Sequence, residues 1–138
     1  MKKAKLIAER SVLASELVNL LGESLLKDLV RELQADKWVI KLKTATVFKL
    51  ILYSMLDSER ISLRTMADQY TSVPFQTLEQ SVIGQSTAHS SIRDRLVNID
   101  VRFFERIYER CLSMLSVGYG SQRLLDTCLL YTSDAADE

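Results

Sequence analysis

Breakers of regular structure are scarce in this chain: proline occurs once and glycine four times in 138 residues. With Leu, Lys, Arg and Glu common, that scarcity favours helix throughout. Cysteine occurs twice, as Cys111 and Cys128, without metal-ligand spacing, and a disulfide framework would need more of them. Cys111 falls on a helix face among Leu and Met, where a buried, inert thiol is expected. Histidine occurs once, as His89. With no second His and no well-spaced Cys, no metal site of that kind is expected, and a catalytic triad lacks its parts. There is no glycine-rich phosphate loop. Long apolar runs are also missing. The stretch 45–56 contains Lys49 and is too short to span a bilayer, and Glu9 and Glu16 interrupt the N-terminal segment, so it is no signal peptide. No membrane is expected as a partner, and a reduced cytoplasmic setting follows by default.

Excess charge is lacking too, since 18 Lys and Arg face 18 Asp and Glu. Taken at face value, this balance argues against a polyanionic partner. However, Asp134, Asp137 and Glu138 lie in the last five positions, and without the segment from Cys128 onward the basic residues exceed the acidic by three. That surplus permits nucleic acid without demonstrating it. The apolar fraction of 47% is enough for one domain with a true core.

Hydrophobic spacing predicts an all-α fold, a bundle of about six helices. Leu6, Leu13, Leu17, Leu20 and Leu21 recur at helical spacing, and Gly22 offers a stop. A second helix is read over 24–34, with Leu25, Leu26, Leu29, Val30 and Leu33 on one face. The run Asp36-Lys37-Trp38-Val39-Ile40-Lys41-Leu42-Lys43 alternates Lys with apolar residues, and its structure is ambiguous. Thr44 can cap a third helix through Asp57, whose apolar residues surround nearly its whole circumference. Such a helix is normally the buried centre of a bundle. Ser62 can cap a short helix through Tyr70. A loop containing Pro74 follows, then a turn ended by Gly84. Ser91 with Asp94 has the capping-box spacing for the next helix, although Thr87 serves equally as its start. Asp100 caps a last long helix with an apolar face from Val101 to Leu115, and Gly118 and Gly120 end it. The segment Arg123-Leu124-Leu125-Asp126-Thr127 reads as the beginning of a strand.

Two groups of residues are candidates for chemistry. Arg93 and Arg95, with Thr87, His89, Ser90 and Ser91 at the start of their helix, would suit the second helix of a helix-turn-helix-like pair whose first member begins at Ser62. Ser, Thr and the free amides of a first turn hold phosphate, and Arg forks onto guanine. From pattern alone, the plainer reading is two amphipathic helices of a bundle with both arginines solvated. Lys37, Lys41, Lys43 and Lys49 form a second basic cluster around Trp38 and Tyr53. Backbone contact with stacking is one reading of it, and a Trp packed at the bundle edge beneath snorkelling lysines is the favoured one.

Four segments in order resemble the N-terminal region of the insertion-sequence-four group of transposases. They are Leu25-Leu26-Lys27-Asp28-Leu29, Asp36 to Thr44, Phe48 to Leu52 with Ser62-Leu63-Arg64, and Ser90 to Leu96 followed by Phe103-Phe104-Glu105. The likeness spans residues 20–127. Leu42 stands where that family has an aromatic, and Arg93 where it has a small polar residue. The resemblance implies binding of double-stranded DNA at an element's terminal inverted repeats; for such binding Lys37, Lys41, Lys43, Arg60 and Arg64 are the candidate phosphate contacts. It also implies a downstream ribonuclease-H-like core in which three acidic residues hold two divalent ions, Mg2+ in the full-length protein, for strand cutting and joining. Leu124-Leu125-Asp126-Thr127 matches the strand bearing the first of those acids, so Asp126 alone carries over as catalytic and metal-binding. The other two acids are not in this chain, so no cofactor and no catalysis are expected of this piece. The last segment, Cys128 to Glu138, resembles a translated sequencing adaptor. The expected organisation is a helical DNA-binding domain over 1–120, a strand stub over 121–127 and a foreign tail over 128–138, with a homodimer of the full-length protein left open. A helix-turn-helix transcriptional regulator and a helical protein-interaction module are the rival readings.

Overall fold

The computed structural model describes residues 2–119, with side chains described over 12–117. The expected strand at 121–127, with Asp126, and the segment 128–138 lie outside the described residues. Those described form seven α-helices and one 3-10 turn, an all-α multi-helix bundle. They are α1 (Lys2–Leu21), α2 (Glu23–Glu32), α3 (Thr44–Asp57), α4 (Leu63–Tyr70), α5 (Val73–Leu78), α6 (His89–Asn98) and α7 (Val101–Tyr119), with the 3-10 turn at Gln80–Val82. The chain divides into two units, the first ending at Phe103 and the second starting at Phe104, where the rest of α7 is the described part.

α3 is the centre of the first unit. It packs against α1, α2, α4 and α6. Val47, Leu50 and Tyr53 are buried, as are the small polar residues Thr44, Thr46 and Ser54. The all-round apolar pattern is thus used as expected, except that Met55 is exposed. α1 and α2 are joined at Gly22, whose φ of 86° lies where only glycine sits without strain, and its amide bonds the Val18 carbonyl as one helix ends and the next begins. α2 buries Leu26 and Leu29 and leaves the Arg31–Asp28 pair in solvent, where it contributes little.

Several helix starts differ from the spacing-based expectation. Thr44 does not cap α3. It is the first helical residue, and the cap comes from Asp36, eight residues earlier, whose Oδ1 accepts from the Thr44 amide at 2.7 Å and from its hydroxyl at 2.8 Å. A carboxylate there also suits the positive end of the helix. Ser62 does cap α4, in a reciprocal box with Thr65. Pro74 lies inside a helix rather than a loop. Ser72 caps α5 through the Phe75 amide, and a proline in the first turn loses no hydrogen bond. Phe75 is fully buried, its ring 6.0 Å from both Tyr53 and Tyr70. Gln76 then braces the return of the chain, donating to the Tyr70 and Gln85 carbonyls and accepting from the Gly84 amide. Asp100 caps α7 as expected, its carboxylate accepting from the Arg102 amide at 2.9 Å. The Arg102 side chain and amide together hold that carboxyl below the ordinary carboxylate range.

Lys49 corrects the reading of a basic surface cluster. It is a buried cation on α3, 2.6 Å from Glu23 and 3.1 Å from Glu79. Burial pulls its pKa down, but hydrogen bonds and charge from Glu23 and Glu79 outweigh that and the net shift is upward. Removing one partner of such a group leaves the other charges uncompensated, and Glu79 is nearly buried. Lys49→Ala should therefore lower the unfolding free energy by about 3 kcal/mol in urea titrations. A raised folded-state pKa makes this contribution complete below the unfolded value. The gap between wild type and Lys49→Ala should hold from neutrality to about pH 10 and close as the pH rises further. The Ser54 hydroxyl is the opposite case, buried with no hydrogen-bond partner among the described residues. Ser54→Ala should raise the urea midpoint, by about 1 kcal/mol of stability.

Candidate nucleic-acid interface

The connection between α2 and α3 has an unusual backbone. Gln34, Trp38 and Leu42 all take left-handed φ values, of 50°, 66° and 55°. Non-glycine residues hold that region only when the surroundings over-determine it. Here turn hydrogen bonds tie Lys37 to Gln34 and Val39 to Asp36, and the Lys43 ammonium donates to the Val39 carbonyl. At the far end Leu42 is buried.

Arg95 of α6 completes the brace. Its Nε donates to the Leu42 carbonyl at 2.9 Å and its Nη2 to the Thr44 hydroxyl at 2.9 Å, with Asp36 at 3.7 Å. Burial lowers the pKa of the guanidinium and the Asp36 charge offsets part of that, leaving it a cation at any ordinary pH. The expected solvent-facing, groove-reading Arg95 is therefore engaged inside the fold, 51 and 53 residues away along the chain. Arg93, two positions earlier, is exposed.

α6 begins without a side-chain cap. Ala88 occupies the cap position, so neither Thr87 nor a Ser91–Asp94 box does that work. Ser91 is already in the first turn, where its amide bonds the Ala88 carbonyl. His89, Ser90, Ser91, Arg93 and Asp94 are all exposed, while Ile92 is buried and faces the bundle. Between this first turn and the 34–43 loop lies a cleft of about 350 Å³, lined by Lys41, Leu42, Ser86, Thr87, Ala88, Ser91, Asp94 and Arg95. The fold thus brings Lys41 to the foot of α6, joining two clusters that sequence separates. Asp94 is the one carboxylate in that lining.

The remaining candidates fall elsewhere. Lys37 and Lys43 are exposed on the loop, and Arg60 and Arg64 are exposed around the start of α4 without lining the cleft. Trp38 is 90% exposed, with Lys37 Nζ 6.0 Å from its ring centroid, so it does not pack at a bundle edge. Asp36, Leu42 and Ser86 belong to the site although sequence spacing gives none of them a role there; Asp36 and Leu42 are tied to it by Arg95, and Ser86 lines the cleft. The described residues do not fit the metal pair that the resemblance implies, since no three His, Cys, Asp or Glu side chains converge among them and Asp126 lies outside them. What this arrangement offers chemically is binding through amides, hydroxyls and cations. No described helix is long and apolar enough to cross a membrane.

Compared with protein-family models, with curated proteins and with solved structures, the chain matches none.

The planar fork of Arg95 reaches two acceptors on a neighbouring segment, which a lysine's single ammonium reproduces poorly. Arg95→Lys should therefore lose about 2 kcal/mol of stability. Amide exchange should quicken at Thr44 in the variant, because the fork that fixes the Leu42 carbonyl and the Thr44 hydroxyl beside the Thr44–Asp36 bond is lost while the charge is kept.

Proposed function

We propose that this chain is the DNA-binding N-terminal part of an insertion-sequence-four group transposase and that it reads duplex sequence at the element's ends through the first turns of α6. The observation that carries the reading is the exposed, uncapped start of α6, where Ser90 and Arg93 are open to solvent and Ser91 lines a cleft with Lys41. A helix N-terminus with no side-chain cap leaves amides and the positive end of the dipole for a phosphate oxygen. Hydroxyls of Ser90 and Ser91 add donors there. Arg93 is placed to fork onto guanine O6 and N7, and Asp94 to accept from a cytosine amino group. Lys37, Lys41, Lys43, Arg60 and Arg64 supply phosphate contacts, which fix register without carrying sequence information. In this reading Arg95 contacts no base. It positions α6 against the loop that bears the lysines. Strand cutting and joining, with Mg2+, belong to a downstream core, and the setting is the cytoplasm, where the element's DNA lies.

The reading is tested by selecting bound sites from a pool of randomised duplexes and measuring variants on the selected and on random duplex. Arg93→Ala should weaken the selected site by about 1–3 kcal/mol more than random duplex, and Lys41→Ala should weaken both alike and reduce the salt slope by about one. Equal losses in Arg93→Ala would make that residue a phosphate contact only. If no duplex is retarded at low salt, while a protein partner binds independently of salt, the DNA reading falls to a helical interaction module.

A further inference from the structure

Trp38 and Ile40 are the two most exposed large apolar residues described, 90% and 92% open, and they sit one residue apart at the tip of the 34–43 loop. A loose tip would collapse such side chains onto the surface. This tip is held out by left-handed Trp38 and Leu42, by Asp36 on Thr44, by Lys43 on Val39 and by Arg95 on Leu42. The exposed charge on the loop itself is of one sign, with Asp94 across the adjoining cleft. Lys37, Lys41 and Lys43 are exposed, and the nearest acid in sequence, Asp36, is turned inward to Thr44 and Arg95. The tip also adjoins the α6 cleft through Lys41 and Leu42.

From this juxtaposition we infer that the Trp38–Ile40 knuckle is a base-stacking element, which takes an unpaired or unstacked nucleobase on the Trp38 ring while Lys37 and Lys41 hold the flanking phosphates. The inference rests on the duplex-binding reading of α6. An indole face flanked by cations matches a polyanion whose repeating units carry π faces. In regular duplex those faces are occupied by neighbouring base pairs, so the ligand is a distorted or single-stranded position next to the duplex that α6 reads. An anionic lipid surface would also accept Trp and Lys. The cleft beside the knuckle, with Ser86, Thr87, Ser91 and the Asp94 carboxylate, instead suits a partner with its own donors and acceptors.

Trp38 is the only tryptophan of the chain, so its emission reports on the knuckle directly. The full chain is titrated with a fully paired duplex, with the same duplex carrying three unpaired internal bases, and with phosphatidylserine–phosphatidylcholine vesicles. The bulged duplex should bind about tenfold tighter than the paired one and quench the emission, stacking on one base being worth that much. Trp38→Ala should abolish the tenfold preference and keep the affinity for paired duplex, and Trp38→Tyr should retain the preference. Its melting should match wild type, because the ring is exposed. Equal affinity for the two duplexes, or a preference that survives Trp38→Ala, would overturn the stacking role while leaving the α6 reading intact. Binding to neither duplex would overturn both. Blue-shifted emission with vesicles and none of the DNA quenching would reassign the knuckle to a lipid surface.

Discussion

The junction formed by Arg95, Leu42, Thr44 and Asp36 determines whether this molecule has a site at all. Asp36 caps α3 from across the loop, and Arg95 comes from α6 to hold the carbonyl of Leu42 and the hydroxyl of Thr44. One cation therefore sets the end of the loop, the start of the central helix and the seat of α6 together. Three left-handed non-glycine residues would otherwise relax, at about 1–2 kcal/mol each, toward ordinary backbone. The cleft and the protruding Trp38 exist because that relaxation is prevented.

The first unit uses a second ionic buckle for a related purpose. Lys49 draws Glu23, at the start of α2, and Glu79, just past α5, onto the central helix. α5 is only 6 residues long and α4 only 8, and neither offers much apolar area. Directional contacts fix where such short pieces sit in a way that area alone does not. Net stability gained from buried pairs of this kind is small, whereas the cost of half of one is large. That asymmetry makes the arrangement specific: a register that strands Glu79 or Asp36 without its cation is penalised.

These buckles also explain what could and could not be read in the sequence. Features with local causes were legible: the apolar stripe of α2, the all-round apolarity of α3, the Ser62 cap and the Asp100 cap. Pro74 was misread because a proline looks like a loop signal unless Ser72 is seen to open a helix just before it. Lys49 looked like one more surface lysine, since nothing nearby in sequence reveals Glu23 or Glu79. Arg95 and Arg93 have the same residue type on the same helix, yet opposite fates. Two positions on a helix turn the side chain by roughly 200°, enough to take Arg93 into solvent and Arg95 onto the loop. The Ser- and Thr-rich stretch promised a capped helix, but the chain enters α6 through Ala88, so the Ser90 and Ser91 hydroxyls do no capping and stand exposed.

A formal charge of zero is for the same reason a poor guide to partners. Lys49 is cancelled by Glu23 and Glu79, and Arg95 by Asp36; Glu79 and Asp36 are turned into the bundle, and Glu23 reaches Lys49 from its surface. What a ligand approaching α6 meets is the local set: Lys37, Lys41, Lys43 and Arg93 on one side of the balance and Asp94 on the other. Screening in physiological salt reduces charges beyond roughly 8 Å to minor importance, so this set and not the chain total governs attraction. By inward pairing of its acids the fold gives a balanced sequence a cationic loop. The Arg95 junction that holds the loop out is also what turns Asp36 away from it.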